Sequence, residues 1–353
     1  MDNRTGLLIY GASGYTGRLI AAAALREGLR PVLAGRRAEA VEPLAKELSC
    51  RSLCFPLTDP DLVARMVEPF AALLLAAGPF SKTSAVALEG CLRGKTAYID
   101  ITGEIEVFEA CFGRHGEAVE AGIPVLPGAG FDVVPSDCLA ATLAGKLPGA
   151  SRLQLAFRGF KVSAGTMKTM IEGLPKGGAA RVNGRLVRVP PAWKTMTVPF
   201  PDRPRIAMTI PWGDLSTAFR STGIPNIEVY MAVSPSAISA ARRSAFLAPV
   251  LSLGIVQGFL KSRAERNVTG PTEEERLRER SLFWGRVATR HGEREVAGTL
   301  ETPEGYALTA ETSVAIAKRV LAGEVKPGAW TPSQAFGPRF IETIPDCRMT
   351  VPA

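Results

Sequence analysis

The stretch LLIYGASGYTGRLIAAAALREG, residues 7–28, limits the fold more than any other part of the chain. A short apolar run ends at Tyr10, glycines follow at Gly11, Gly14 and Gly17, and an Ala- and Leu-rich run closes at Gly28. Strand, glycine turn and helix in that order open a βαβ unit. Gly11 suits the tight turn, Gly14 lets the backbone approach a pyrophosphate, and Gly17 lets the helix pack on the strand. The helix N-terminus then aims its N–H groups at the anion. Spaced glycines also serve as plain turn residues, but their place between strand and helix favours a dinucleotide site. Ser13, Tyr15 and Thr16 belong to the same turn. The hydroxyls of Ser13 and Thr16 read either as phosphate donors or as helix caps.

Further apolar runs at 31–34, 52–55, 73–76, 96–99 and 123–126 alternate with helical stretches. With 7–10 they make six strands, which predicts an α/β class with a doubly wound parallel Rossmann sheet. Sheets of this kind that prefer NAD end the second strand on Asp or Glu, which bonds the ribose 2′-OH. Here that place holds Gly35, followed by Arg36 and Arg37. A carboxylate would repel a 2′-phosphate, whereas a guanidinium grips it with paired hydrogen bonds. The expected cofactor is therefore NADP(H). Asp59, just past the third strand, is placed either for the adenine or to cap the next helix. Gly78, Pro79 and Phe80 close the fourth strand and are expected along the cofactor's central and nicotinamide parts.

YIDITGE, residues 98–104, puts Tyr98, Asp100, Thr102 and Glu104 at the carboxyl edge of the fifth strand. Tyr98 reads as a proton donor and Asp100 or Glu104 as a group that binds or polarises substrate, with capping as the plainer alternative. In GFDVVPSD, residues 130–137, Asp132 could accept or relay a proton or steady a hinge, and Ser136 or Asp137 could cap the next helix. Hydride transfer needs a rigidly placed acceptor and one proton source, so a catalytic histidine is not required. His115 and His291 are the only histidines, and the six cysteines form no CxxC pair. No metal site is expected, and the thiols read as those of a reducing compartment.

GASGYTG, LAGRR, AAGPF, YIDITGE, PGAGFDVVPSD and, toward the C-terminus, GYALTAETSVAIAKRVLAGE and TPSQAFG together resemble one family. It is that of the saccharopine dehydrogenase-like NADP-binding reductases, which include the trans-acting enoyl reductases. The resemblance implies a Rossmann domain holding NADP and a second α/β domain closing over substrate, often in a dimer. Similar members range from imine-forming amino-acid dehydrogenases to reductases of lipid-linked enoyl groups, so the resemblance leaves the substrate open. Short-chain dehydrogenases are set aside: none of Tyr10, Tyr15, Tyr98, Tyr230 or Tyr306 has a lysine four residues on.

The domain expectation is 1–135 with 306–353 as the Rossmann domain. Residues 136–305 would form an α+β substrate and dimerisation domain on a largely antiparallel sheet. RLQLAFRGF, RIAMTIPW and NIEVYMAV read as its strands, and SLFWGRVATRHG with REVAGTLETP as a hairpin. ALTAETSVAIAKRVLAGE reads as a helix ending at Gly323 that returns its apolar face to the first domain. SAFLAPVLSLGIVQGFL, residues 244–260, carries no charge between Arg242, Arg243 and Lys261, Arg263. Its 17 residues fall short of the roughly 20 of a spanning helix. It reads as a buried or substrate-covering helix, with a surface helix touching lipid as the alternative.

MDNRTG leads into the first strand without an apolar leader, so the expected location is cytoplasmic, with peripheral membrane contact through 244–260 as the variant. A net charge of +8 fits anionic small molecules, and the basic residues are scattered, so nucleic acid is not expected. The functional expectation is an NADP(H)-dependent oxidoreductase reducing a C=C or C=N bond of a fairly apolar or carrier-linked small molecule, working as a homodimer. The rival is a noncatalytic NADP-binding protein on a membrane or lipid surface.

Overall fold

The computed structural model describes residues 6–158 and 161–352. The first five residues, MDNRT, on which the expectation of no apolar leader rests, and the last two residues of RLQLAFRGF lie outside the described residues.

The chain begins as the sequence predicts, with β1 (Leu7–Tyr10), α1 (Tyr15–Arg26), β2 (Val32–Gly35), α2 (Ala38–Glu47), β3 (Arg51–Cys54) and α3 (Pro60–Val67). β4 (Ala72–Leu75), α4 (Phe80–Gly94), β5 (Ala97–Asp100), α5 (Ile105–Gly113), α6 (His115–Ala121) and β6 (Pro124–Leu126) follow. Each strand lies within one residue of its expected bounds. β1, β2, β4 and β5 are buried along their whole length, as continuous apolar runs should be when helices cover both faces of a parallel sheet.

The middle of the chain forms α7 (Val134–Lys146), β7 (Arg152–Arg158), α8 (Ala164–Gly173), β8 (Gly178–Val182), β9 (Arg185–Val189), β10 (Thr195–Pro199) and β11 (Pro204–Thr209). It continues through α9 (Asp214–Thr222), β12 (Asn226–Ala232), α10 (Pro235–Leu251), α11 (Gly254–Asn267), α12 (Glu273–Arg278), β13 (Arg280–Ala288) and β14 (Glu295–Pro303). α13 (Gly305–Leu321), β15 (Gly328–Ala329), α14 (Pro332–Phe336) and β16 (Arg348–Thr350) complete it.

The chain divides into two compact units, one holding the chain up to Val134 and Tyr306–Phe336, the other Pro135–Gly305 and the chain from Gly337 onward. The first unit is built on a parallel sheet in the order β15-β6-β5-β4-β1-β2-β3. Strand order reverses between β1 and β4, which is where such sheets open a crevice for ligand. α13 belongs to this unit, tied to α1 by ion pairs of Arg26 with Glu311 and Lys318 with Glu27.

The second unit's sheet runs β10-β11-β12-β7-β13-β14-β16, with β8 bridging β12 and β9. Only the β12–β7 pair is parallel, so the sheet is largely antiparallel. The expected hairpin is β13 with β14, in register from Arg280–Pro303 to Ala288–Glu295. Trp284 and Leu282 pack with Val198, Phe200 and Tyr230 on one side. On the other, Leu139 and Leu143 of α7 reach Gly285 so closely that an added Cβ would lie 2.8 Å from Leu143 Cδ1.

Two expectations are corrected. Residues 337–353 join the second unit, because β16 pairs with β14 and Phe340 and Ile341 are buried. Residues 244–260 do not form one buried helix. α10 ends at Leu251, α11 starts at Gly254, and Phe246 and Ile255 stand 86% and 89% exposed. Among the described residues no helix is long and apolar enough to cross a membrane.

Candidate functional site: the carboxyl edge of the parallel sheet

The glycine turn is built by contacts that leave no space for side chains. Gly11 adopts φ +87°, and a Cβ on it would lie 2.8 Å from the backbone of Ala76 and Ala77 at the end of β4. A Cβ on Gly17 would overlap the carbonyl of Gly11. Gly11 and Ala12 donate their N–H groups to the Ala34 carbonyl at 2.8 and 3.2 Å, tying the turn to the end of β2. Gly14 is the exposed N-cap of α1, and no side chain caps that helix. Ser13 and Thr16 are thus not caps; with Tyr15 they sit half-buried around an open helix N-terminus. Tyr15 is braced edge-on by Tyr306 of α13, ring centroids 4.9 Å apart.

At the end of β2, Gly35 is pressed against α2, and a Cβ there would come 2.7 Å from Val41 Cγ2. Arg36 and Arg37 both project into solvent. Arg37 Nε lies 3.8 Å from Glu39 Oε1, whereas Arg36 has no ion pair among the described residues. Burial pushes the Tyr10 phenol up to about 12, and the nearby Arg36 charge works against that rise. Asp59 accepts the Asp61 N–H at 3.0 Å, the cap alternative of its two readings.

Gly78 is exposed, with Pro79 and Phe80 half-buried, at the start of α4. That helix N-terminus is taken by Glu104, whose Oε1 accepts the Phe80 N–H at 2.7 Å and Oε2 the Ser81 N–H at 3.0 Å. Glu104 is therefore a helix cap rather than a substrate ligand. It also fastens the loop after β5 to the loop after β4.

Tyr98 and Asp100, read from the sequence as proton donor and substrate-polarising group, lie in the interior. Both are fully buried. Tyr98, with β4 and β6 paired on either side of its strand, turns into a core containing Cys91 and Cys111, and its hydroxyl donates to Asp100 Oδ2 at 2.7 Å. Asp100 Oδ1 accepts the N–H groups of Thr102 and Gly128, each at 2.9 Å. Burial drives the phenol well above its ordinary range and the carboxyl up to about 6, the latter opposed by its three hydrogen bonds. These groups pin the loops after β5 and β6, with Ala129 N–H adding a 2.7 Å bond to the Asp100 carbonyl.

Asp132 is differently placed. It lies against Gly103, where a Cβ would come 2.7 Å from Asp132 Oδ2. Its Oδ1 is enclosed and has no hydrogen-bond partner among the described residues. Burial alone pushes the carboxyl up to about 7. The loop that carries it is held by α13: Phe131 N–H donates to Thr309 Oγ1 at 3.0 Å, and Thr312 Oγ1 donates to the Ala129 carbonyl at 2.8 Å. Thr309 and Thr312 were missed in the sequence, where TAETS read as part of an amphipathic helix. Hydroxyls on its otherwise apolar face were the available signal.

The reversal of strand order, the glycine turn at β1 and the loops after β4, β5 and β6 define a Rossmann-type nucleotide-binding unit, joined in this chain to a largely antiparallel second unit. No protein-family model matches the chain. It is similar to a saccharopine dehydrogenase-like oxidoreductase of Bos taurus, 26% identical over 194 residues that cover 47% of this chain and 45% of the relative. It is also similar to a trans-acting enoyl reductase of Mycobacterium bovis, 27% identical over 139 residues that cover 37% of this chain and 33% of the relative. In the matched regions the chain spans less than half the length of these curated relatives. Among solved structures, apo saccharopine dehydrogenase (L-Glu forming) from Saccharomyces cerevisiae matches with a TM-score of 0.66 at 13% identity, covering 99% of this chain and 100% of that chain. The resemblance read from the motifs is borne out: the chain is similar to proteins named saccharopine dehydrogenase-like oxidoreductase and trans-acting enoyl reductase, and it shares the saccharopine dehydrogenase fold.

Proposed function

We propose that the chain is an NADP(H)-dependent oxidoreductase reducing a C=C or C=N bond in a fairly apolar substrate. One observation carries the reading: beside an uncapped glycine turn, the end of β2 presents Gly35 and an exposed, unpaired Arg36 where a ribose-binding carboxylate would stand. The residues fit the cofactor. The open N-terminus of α1, with Ser13, Gly14, Tyr15, Thr16 and Gly17, would hold the pyrophosphate, and Arg36 with Arg37 the 2′-phosphate. Gly78, Pro79 and Phe80 would line its central and nicotinamide parts.

The cofactor supplies the hydride when bound. The protein's own part is to hold one proton and exclude water. Asp132, its pKa raised to about 7, carries that proton near neutral pH without a competing hydrogen bond at Oδ1. The Tyr98–Asp100 pair acts as a positioning device for the loop on which Asp132 sits. The C=C alternative is supported by similarity to proteins named trans-acting enoyl reductases. Following NADPH oxidation against enoyl, imine and carbonyl acceptors tests it. Turnover of carbonyl acceptors with none of enoyl or imine acceptors would overturn the substrate half of the reading.

A further inference from the structure

Residues 235–264 contain no Asp or Glu, yet carry Arg242, Arg243, Lys261 and Arg263. The structure folds this stretch into α10 and the first part of α11, which meet at Ser252 and Leu253. Gln257 fixes the junction by donating to the carbonyls of Leu251 and Ile171, at 2.8 and 3.0 Å. Ion pairs of Lys261 with Glu172 and of Lys168 with Glu265 anchor α11 to α8. These contacts hold the junction from one side. On the other, Phe246, Leu247, Val250, Leu253, Ile255 and Phe259 are all more than half exposed. So dense a cluster of large apolar side chains in water marks a surface that is normally covered.

The charges decide what covers it. Arg242, Arg243 and Arg263 are exposed and have no ion pair among the described residues. A second copy packed about a two-fold axis would set this patch on itself, guanidinium against guanidinium, with no carboxylate from residues 235–264 to offset them. An anionic bilayer supplies phosphate for the guanidiniums and hydrocarbon for the rings and branched side chains.

We propose that the α10–α11 junction is a peripheral docking surface for an anionic phospholipid bilayer. Phe246, Leu253, Ile255 and Phe259 enter the boundary between headgroups and acyl chains, while Arg242, Arg243 and Arg263 rest on lipid phosphates. This surface goes beyond the reductase reading and does not depend on it, since its test involves no turnover.

Flotation of the full chain is measured with vesicles of phosphatidylcholine alone and of phosphatidylcholine mixed with phosphatidylglycerol. The protein is expected to float with the mixed vesicles, far less with phosphatidylcholine alone, and to be released by salt. Ile255→Asp should weaken binding about tenfold or more, with an unchanged urea midpoint because that side chain touches little in the free protein. Arg242→Gln should cost about fivefold on the mixed vesicles alone, and it serves as the second reading should Ile255→Asp misfold. Failure to float with either vesicle, or equal flotation with both, overturns the proposal. So does a dimer in solution that Ile255→Asp dissociates, which would give the face to a second copy.

Discussion

On the proposed reading, Arg36 separates two nucleotides that differ by one phosphate. Among the described residues its guanidinium has no ion pair to give up, so its interaction is open to a 2′-phosphate. Arg36→Ala is expected to weaken NADPH binding about tenfold or more while leaving NADH unaffected, as read by calorimetry. Equal losses for both nucleotides would refute the assignment. Asp132 makes a second prediction, because its carboxyl is raised from 3.8 to about 7 by burial. The folded state therefore holds a proton that the unfolded chain releases at lower pH. This contribution to stability is complete below about pH 4 and is lost as pH rises through about 7. Asp132→Asn should leave stability at pH 4 nearly unchanged and raise it at pH 8 by roughly 1–3 kcal/mol in urea denaturation. It should also lower the reduction rate and flatten the decline in rate across pH 7. The residue types at this edge were legible in the sequence. Their orientations were not, since Tyr98 and Asp100 turn inward while Asp132 Oδ1 is left without a hydrogen-bond partner among the described residues.

Among the elements, the six strands and the helix after the glycine turn were legible because apolar runs and glycine breaks follow directly from strand burial and backbone freedom. Gly17→Ala would drive a methyl group into the Gly11 carbonyl. It should destabilise the first unit by about 1–3 kcal/mol, measured by urea unfolding, and abolish NADPH binding if the turn moves. Glu104 was weighed in the sequence as a substrate ligand, but its two bonds to the first N–H groups of α4 are long-range and leave no trace in spacing. Glu104→Ala is expected to cost about 1–2 kcal/mol, again by urea unfolding, as loss of a charged N-cap should. If stability held while substrate KM rose, Glu104 would return to the substrate. The interruption at Ser252 and Leu253 was likewise not foreseen, although Gly254 lay in view.

At the scale of the whole molecule, the chain leaves the first unit, returns to it through α13 and crosses again at Gly337. That last crossing places Ile341, which is fully buried, in the second unit's core. Ile341→Ala should therefore cost about 3 kcal/mol, seen as a lower urea midpoint for the second unit. The sequence by itself determined the parallel sheet, the nucleotide turn and the missing carboxylate at β2, because each depends on residues close together in the chain. Tertiary structure alone decided which carboxylates are satisfied, which unit receives the C-terminal strand, and that the uncharged segment faces outward. Those outcomes depend on which distant surfaces meet, and burial, hydrogen bonding and desolvation acquire their values only once they do.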